Sequence, residues 1–214
     1  LLALASMASN TCTLTKVPDI TDVHSMCELL SSLGASVAAK PGGVVEIDPT
    51  TIASTEPPEE LVRRMRASVQ ILGPLLARYG HVRMAFPGGC AIGSRPIDLH
   101  LKGLAAMGVR FSEEHGCITG RVADRLSGAE IHLDFPSVGA TENLMAAACL
   151  AKGVTTIRNA AREPEIVDQQ NFLVRMGAQI RGAGTDTIRV SGVEELTSTT
   201  YPVMPDRIQT GTFM

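Results

Sequence analysis

Three octets in this chain share one pattern: Leu30-Ser31-Ser32-Leu33-Gly34-Ala35-Ser36-Val37, Leu104-Ala105-Ala106-Met107-Gly108-Val109-Arg110-Phe111 and Leu173-Val174-Arg175-Met176-Gly177-Ala178-Gln179-Ile180. Apolar residues at i and i+3 followed by glycine predict the last turn of a helix and its terminating glycine. The apolar residue three positions on then opens a strand. The glycines stand 74 and 69 residues apart. After each octet comes a turn and a second strand, expected over 44–47, 117–119 and 187–190. The middle and last of these turns hold Gly116 and Gly184, as a hairpin requires.

A second helix–strand pair precedes each octet: 2–9 into 11–14, Leu75 to Gly80 into 81–85, and Cys149 to Gly153 into 154–157. The repeating unit is therefore helix, strand, helix, strand, strand, present three times over roughly 1–50, 60–122 and 136–193. Helix–glycine–strand junctions are common, but the matching upstream helices mark a true repeat. Such units bury together a face that no copy could bury alone. The helix expected over 141–152 is Leu, Met, Ala or Cys at every position from Leu144 to Ala151, so it has no polar face and must be enclosed by protein. The simplest solution is an α/β fold turned inside out, helices within and sheets carrying the outer polar positions. Ordinary β-α-β layering is the competing arrangement.

Apolar residues make up 44% of the 214, enough for a substantial core in one large domain or two small ones. A net charge of −3 without a Lys/Arg cluster, and only five Phe and two Tyr with no Trp, argue against nucleic-acid and membrane-surface partners. No apolar run approaches the roughly 18–20 residues that cross a bilayer. The five cysteines (Cys12, Cys27, Cys90, Cys117 and Cys149) are odd in number, widely spaced and lack C-x-x-C, so neither a disulfide framework nor a zinc site is expected. A reducing, cytoplasmic setting fits them. The opening Leu-Leu-Ala-Leu stretch lacks the basic residues of a signal peptide. With no initiator Met, and with Gly211-Thr212-Phe213-Met214 closing in mid-pattern, the chain is expected to be a piece of a longer protein.

Chemistry is concentrated in Phe86-Pro87-Gly88-Gly89-Cys90-Ala91-Ile92-Gly93-Ser94-Arg95-Pro96. Three glycines and two prolines in eleven residues exclude regular structure. Gly88 and Gly93 have P-loop spacing, but Ser94-Arg95 stands where Lys-Ser/Thr is needed, which rejects a nucleotide triphosphatase. What remains is a thiol between glycines with a guanidinium five residues on, a setting that favours thiolate. The other four cysteines fall in predicted helices and strands and read as core. Of Arg63, Arg64 and Arg66, expected to fan around one helical turn, Arg66 is best placed to face a ligand at the start of a buried helix running through Val69, Ile71, Leu72 and Leu75.

Pro136-Ser137-Val138-Gly139-Ala140-Thr141-Glu142-Asn143 leads into the enclosed helix. That N-terminus is either an anion site or simply capped by Thr141 with Glu142 in the first turn. The five histidines show no paired metal spacing. Glu163 and Glu165 are either acid/base carboxylates or an ion pair with the neighbouring Arg162.

These residues also carry a family resemblance. Met65-Arg66-Ala67-Ser68, Gly73-Pro74-Leu75, Pro87-Gly88-Gly89-Cys90-x-Ile92-Gly93-x-Arg95-Pro96-x-Asp98-x-His100, Ser137 to Thr141, Glu163 to Asp168, Gly182 to Asp186 and Pro205-Asp206-Arg207 resemble the UDP-N-acetylglucosamine 1-carboxyvinyltransferases, which are enolpyruvyl transferases. The resemblance spans essentially the whole chain. It implies one of two lobes, each an inside-out α/β barrel of three similar units, with 1–204 forming the lobe and 205–214 crossing into the other. The family's Lys-Asn substrate contacts would precede Leu1, and a sugar-deprotonating aspartate and further arginines would belong to the other lobe.

The resemblance also implies the activity: transfer of the enolpyruvyl group of phosphoenolpyruvate to UDP-N-acetylglucosamine, the first committed step of peptidoglycan synthesis, with no cofactor and no metal. Cys90 matches the general acid, which can become covalently attached to phosphoenolpyruvate and is the target of epoxide antibiotics; its loop is the family's mobile lid. Arg95 matches a phosphoenolpyruvate contact. Arg66 and Arg95, Pro96, Ile97, Asp98 and Leu99 line the nucleotide-sugar site, and Ser137, Val138 and Gly139 match backbone contacts to its uridine and diphosphate. Phe135 is a departure, since some relatives carry Lys there. The isolated lobe is expected to be inactive. The alternatives are a phosphoshikimate-type enolpyruvyl transferase, disfavoured by the Cys90 loop, and a non-catalytic nucleotide-sugar-binding paralogue.

Overall fold

The structure, a computed structural model, describes residues 1–88 and 97–214. The first unit runs α1 (Leu2–Ala5), β1 (Cys12–Thr15), α2 (Thr21–Ser32), β2 (Ser36–Lys40) and β3 (Val44–Asp48). The second opens with α3 (Glu59–Arg64) and a 3₁₀ helix (Arg66–Ile71), then α4 (Leu72–Tyr79), β4 (His81–Ala85), α5 (Asp98–Ala106), β5 (Arg110–Glu114) and β6 (Cys117–Arg121). The third runs β7 (Glu130–His132), α6 (Val138–Cys149), β8 (Val154–Arg158), α7 (Pro164–Arg175), β9 (Gln179–Arg181) and β10 (Thr187–Ser191). Strand β11 (Thr200–Pro202) and α8 (Arg207–Phe213) follow.

Each unit builds one sheet, ordered β11-β1-β3-β2, β4-β6-β5 and β7-β8-β10-β9. Within each, the unit's own strands pair antiparallel, as in Val37 opposite Ile47, Phe111 opposite Gly120 and Ile180 opposite Val190. Two sheets gain a parallel outer strand: β7 beside β8, and β11 beside β1. The second makes the chain's end close against its beginning. In the middle sheet the same place holds an irregular segment, where Thr55 accepts a hydrogen bond from Arg83 N at 3.2 Å.

The three octets end their helices alike. Gly34, Gly108 and Gly177 have φ of +104°, +98° and +102°. The following residues Ala35, Val109 and Ala178 donate back to Leu30, Leu104 and Leu173 at 3.0–3.2 Å. Each glycine N–H also donates to the carbonyl three residues before it, completing the Schellman arrangement. The carbonyls of Leu33, Met107 and Met176 accept from Ala53, Ser127 and Thr197 further along each unit. The octet therefore turns the chain and also anchors the segment that leaves the hairpin.

Helix α6 lies at the centre, packed by α4, α5 and α7, and Leu144 through Cys149 are fully enclosed. The strands around it alternate buried and outward residues, as in β10, where Ile188 and Val190 point inward. Helices inside and sheets outside is thus the observed solution, and β-α-β layering is not. Two arginines tie the ends of the inner helices. Arg78 donates to the Ser6 and Ala8 carbonyls at 2.5 and 2.6 Å, and Arg125 donates to Leu150 and Val193.

Several local expectations need correction. The opening helix covers only Leu2–Ala5 rather than 2–9, because Ser6 turns its hydroxyl back onto the Ala3 carbonyl at 2.6 Å. The central helix starts at Val138 instead of 141, since Ser137 is extended and its Oγ accepts from Ala140 N at 3.3 Å. Thr141 is therefore no cap; its Oγ1 instead accepts from Ala161 N at 3.1 Å. Arg63 to Arg66 do not share one turn, because Met65 is extended between α3 and the 3₁₀ helix. The buried helix through Val69 and Leu75 is likewise two elements, 3₁₀ up to Ile71 and α from Leu72.

Candidate active site

Three chain segments converge at one end of the inner helices: the start of the 3₁₀ helix at Arg66, the start of α5 at Asp98, and the start of α6 at Ser137. Their closeness is fixed at Gly139. A β-carbon there would meet Gln70 Nε2 and His100 Cε1, both at 3.4 Å. Arg66 is half-buried and close enough to His100 to help hold that imidazole neutral. Extended Met65 separates Arg66 from α3, and Arg63 and Arg64 are spent on surface pairs with Glu59 (2.7 Å) and Glu28 (2.5 Å).

At the start of α5, Ile97 and Leu99 are buried, so their side chains serve the core and only their main chain is available to a ligand. Asp98 is exposed in the first helical turn, where its charge favours the helix dipole. At the start of α6, Ser137, Val138 and Gly139 are half-buried. The first turn of a helix presents N–H groups without intrahelical acceptors, with the positive end of the dipole behind them. The arrangement therefore offers one guanidinium, one carboxylate and a set of backbone donors, a combination suited to an anionic ligand that also carries hydrogen-bonding groups. Phe135, two residues before Ser137, is 59% exposed on the rim.

Cys90, Arg95 and Pro96 lie outside the described residues. Gly88, the last described residue before them, approaches Arg63 so closely that a β-carbon would overlap its carbonyl. Among the described residues no cluster of His, Cys, Asp or Glu is arranged to hold a metal ion. Of the four cysteines read as core, Cys12 and Cys149 are buried, and burial raises the thiol pKa of Cys12 and pushes Cys149 up to about 12, whereas Cys27 and Cys117 are only half-buried against the core. Glu165 does form an ion pair, but with Arg207 through two contacts at 2.9 and 3.0 Å, while Arg162 turns to Asp186 at 3.4 Å.

Sequence reasoning missed the polar layer beneath the site. Asn143 Nδ2 donates to the Val69 carbonyl at 2.7 Å and to His100 Nδ1 at 3.1 Å, while its Oδ1 accepts from Gly73 N at 2.5 Å. Glu142 Oε2 accepts from Gln70 at 2.7 Å, and its main-chain oxygen accepts from buried Gln169 at 2.7 Å. Glu142 and Asn143 thus tie α6 to the 3₁₀ helix, α4, α5 and α7. The available signal was three consecutive polar residues, Thr141, Glu142 and Asn143, near the start of an otherwise apolar helix. His100 is 6% exposed, and burial followed by Arg66 lowers its pKa to about 4.

The family model for EPSP synthase (3-phosphoshikimate 1-carboxyvinyltransferase) matches residues 1–214. The chain is 55% identical over its full length to UDP-N-acetylglucosamine 1-carboxyvinyltransferase 2 of Carboxydothermus hydrogenoformans, and covers 51% of that protein. It is 52% identical to UDP-N-acetylglucosamine 1-carboxyvinyltransferase of Shewanella piezotolerans, again over all of this chain and 51% of the relative. The chain thus spans about half the length of the curated relatives it matches. Among solved structures, the enolpyruvyl transferase NikO from Streptomyces tendae superposes with a TM-score of 0.86 at 24% identity, over 99% of this chain and 50% of that one. EPSP synthase from Acinetobacter baumannii superposes at 0.75 and 20% identity, over 99% and 48%. The inside-out fold is therefore that of one enolpyruvyl transferase lobe. With a family model matched from first residue to last and the fold to go with it, this chain belongs to the EPSP synthase (3-phosphoshikimate 1-carboxyvinyltransferase) family.

Proposed function

We propose that the whole protein transfers the enolpyruvyl group of phosphoenolpyruvate to UDP-N-acetylglucosamine and releases phosphate, a step of peptidoglycan synthesis carried out in the cytoplasm. The observation that carries this reading is 55% identity across all 214 residues to a protein of that name. The Cys90 loop favours it over the phosphoshikimate reaction that names the family model. The convergence of Arg66, Asp98 and the α6 N-terminus supports it as well, because a nucleotide diphosphate sugar offers the anion and the hydrogen-bonding base that those groups complement.

In this mechanism the Cys90 thiol gives its proton to the methylene carbon of phosphoenolpyruvate while the sugar hydroxyl oxygen bonds to the adjacent carbon and passes its own proton to the aspartate that the resemblance assigns to the other lobe. The result is a tetrahedral intermediate. Loss of a proton from the new methyl group and departure of phosphate then restore the double bond in the product. A thiol with a pKa near working pH suits both transfers, and a closing loop keeps water from the intermediate. Arg95 contacts the phosphoenolpyruvate; Arg66 and Pro96, Ile97, Asp98 and Leu99 hold the nucleotide sugar, with Ser137, Val138 and Gly139 binding its uridine and diphosphate through the backbone.

The test is phosphate release and product mass with the complete protein, phosphoenolpyruvate and UDP-N-acetylglucosamine. The unmutated protein is expected to form the enolpyruvyl product, Cys90→Ala to lose turnover, and Cys90→Asp to retain it while escaping epoxide alkylation. Full turnover by Cys90→Ala overturns the general-acid assignment. Product formed from shikimate 3-phosphate instead overturns the substrate.

A further inference from the structure

Helix α6 is apolar except at Thr141, Glu142 and Asn143 near its start, and Glu142 reaches the first turn through Gln70. One amide nitrogen, Nε2 of Gln70, is shared between Glu142 Oε2 at 2.7 Å and the Gly139 carbonyl at 3.3 Å. The carboxyl group therefore sets the orientation of Gln70, and Gln70 in turn holds the peptide on which the first turn of α6 is built. Buried Gln169 fixes the Glu142 main chain from the other side. The carboxyl group is thereby held behind the N–H groups to which the nucleotide-sugar reading assigns a diphosphate.

We propose that Glu142 is a positioning residue whose protonation state tunes anion binding at the start of α6: Gln70 carries its orientation to Gly139, and its charge, when present, opposes an incoming diphosphate. The proposal deepens the nucleotide-sugar reading and rests on it. Burial pushes the carboxyl pKa up to about 7, and Glu165 and Glu163 raise it further. The titratable groups facing it are thus the two glutamates at the start of α7, while the residues of α1 carry no charged side chain. The 3₁₀ helix contributes neutral Gln70 and, at its start, Arg66; α5 contributes Asp98 and His100, the latter held neutral. Bringing a diphosphate near an ionised Glu142 costs Coulomb energy, so binding and proton uptake are linked.

Calorimetric titration of the complete protein with UDP-N-acetylglucosamine, whose diester phosphates do not titrate near neutrality, tests this. Affinity is expected to fall about fivefold between about pH 6 and about pH 8, a change the size of a Coulomb interaction near a protein surface. Near neutrality, buffers of different ionisation heat should reveal fractional proton uptake on binding. Glu142→Gln keeps an acceptor for Gln70 and is expected to bind at the higher pH as tightly as the unmutated protein does at the lower, without that uptake. Glu142→Leu, which strands Gln70, should bind more weakly at both while its melting temperature reports any loss of fold. An unchanged pH slope and proton uptake in Glu142→Gln overturn the proposal, as does absence of uptake by the unmutated protein, which needs no variant to fold. Failure of the unmutated protein to bind at either pH instead overturns the nucleotide-sugar reading, and this proposal with it.

Discussion

The main-chain nitrogen of Gly73 donates to Oδ1 of Asn143 at 2.5 Å, so a backbone group of α4 is paired with a side chain of α6 inside the core. Contact this close is possible only without a side chain at 73, because a β-carbon there would overlap both the side-chain and main-chain oxygens of Asn143. The same asparagine reaches Val69 and His100, so one side chain ties the second unit to the third at three points.

Gly73→Ala is expected to force α4 and α6 apart and destabilise the fold by about 1–3 kcal/mol, the usual range for overpacking. Asn143→Leu should cost a comparable or larger amount, since it strands a buried donor and a buried acceptor. As both changes break one junction, their double mutant should be less destabilised than the sum. Urea unfolding of the four proteins checks it, and strict additivity would contradict the shared junction.

The octet glycines give a graded prediction. Around Gly108 and Gly177 a β-carbon would meet nothing within 4 Å, so Ala at either costs only the left-handed backbone, about 1–2 kcal/mol. At Gly34 a β-carbon would also lie 2.7 Å from the Thr51 carbonyl, so Gly34→Ala should be clearly the worst of the three. Melting temperatures of the three variants rank them.

That octet was legible because its signal is local: a helix end, a glycine with positive φ and a strand start occupy eight consecutive residues. The enclosed helix was legible too, since an unbroken apolar run has no polar face to show water. Boundaries were less so. Where α6 begins depends on whether Ser137 or Thr141 caps it, and both are capping residues; only the tertiary contact from Ala161 N decides that Thr141 is inside. Of the polar layer only the polar residues opening α6 gave a signal, because Gln70, His100 and Asn143 lie in three segments that sequence spacing does not bring together. The Cys90 loop was the reverse case, explicit in sequence and outside the described structure.

His100 should make the fold sensitive to mild acid. Burial lowers its pKa to about 4, below the 6.5 it has when exposed, so protons favour the unfolded chain. Its contribution is complete above the unfolded value and is lost as pH falls from about 6.5 towards 4, on the order of 3 kcal/mol in total. In His100→Asn, Oδ1 can replace Nδ1 as acceptor for Asn143, without a group that titrates there. That variant should lose less stability than the unmutated protein between about pH 7 and pH 4.5, measured by denaturant melts. Glu142, shifted upward, has the opposite sign across about the same range and is common to both proteins, so the difference isolates His100.

Thr155 offers a gain rather than a loss. It lies in β8, fully buried opposite Val190, and its hydroxyl has no hydrogen-bond partner among the described residues. Its neighbours in the sheet gain nothing from that oxygen, while the folded state bears the cost of having taken it out of water. A valine has nearly the same shape, the same β-branching that suits a strand, and no polar atom to desolvate. Thr155→Val is therefore expected to stabilise the fold by about 1 kcal/mol, the low end of the penalty for a buried unsatisfied group. The urea midpoint is accordingly expected to rise. A lower midpoint would mean that the hydroxyl is paired in solution, and the packing of β8 against the central helix would then need a polar contact at this position.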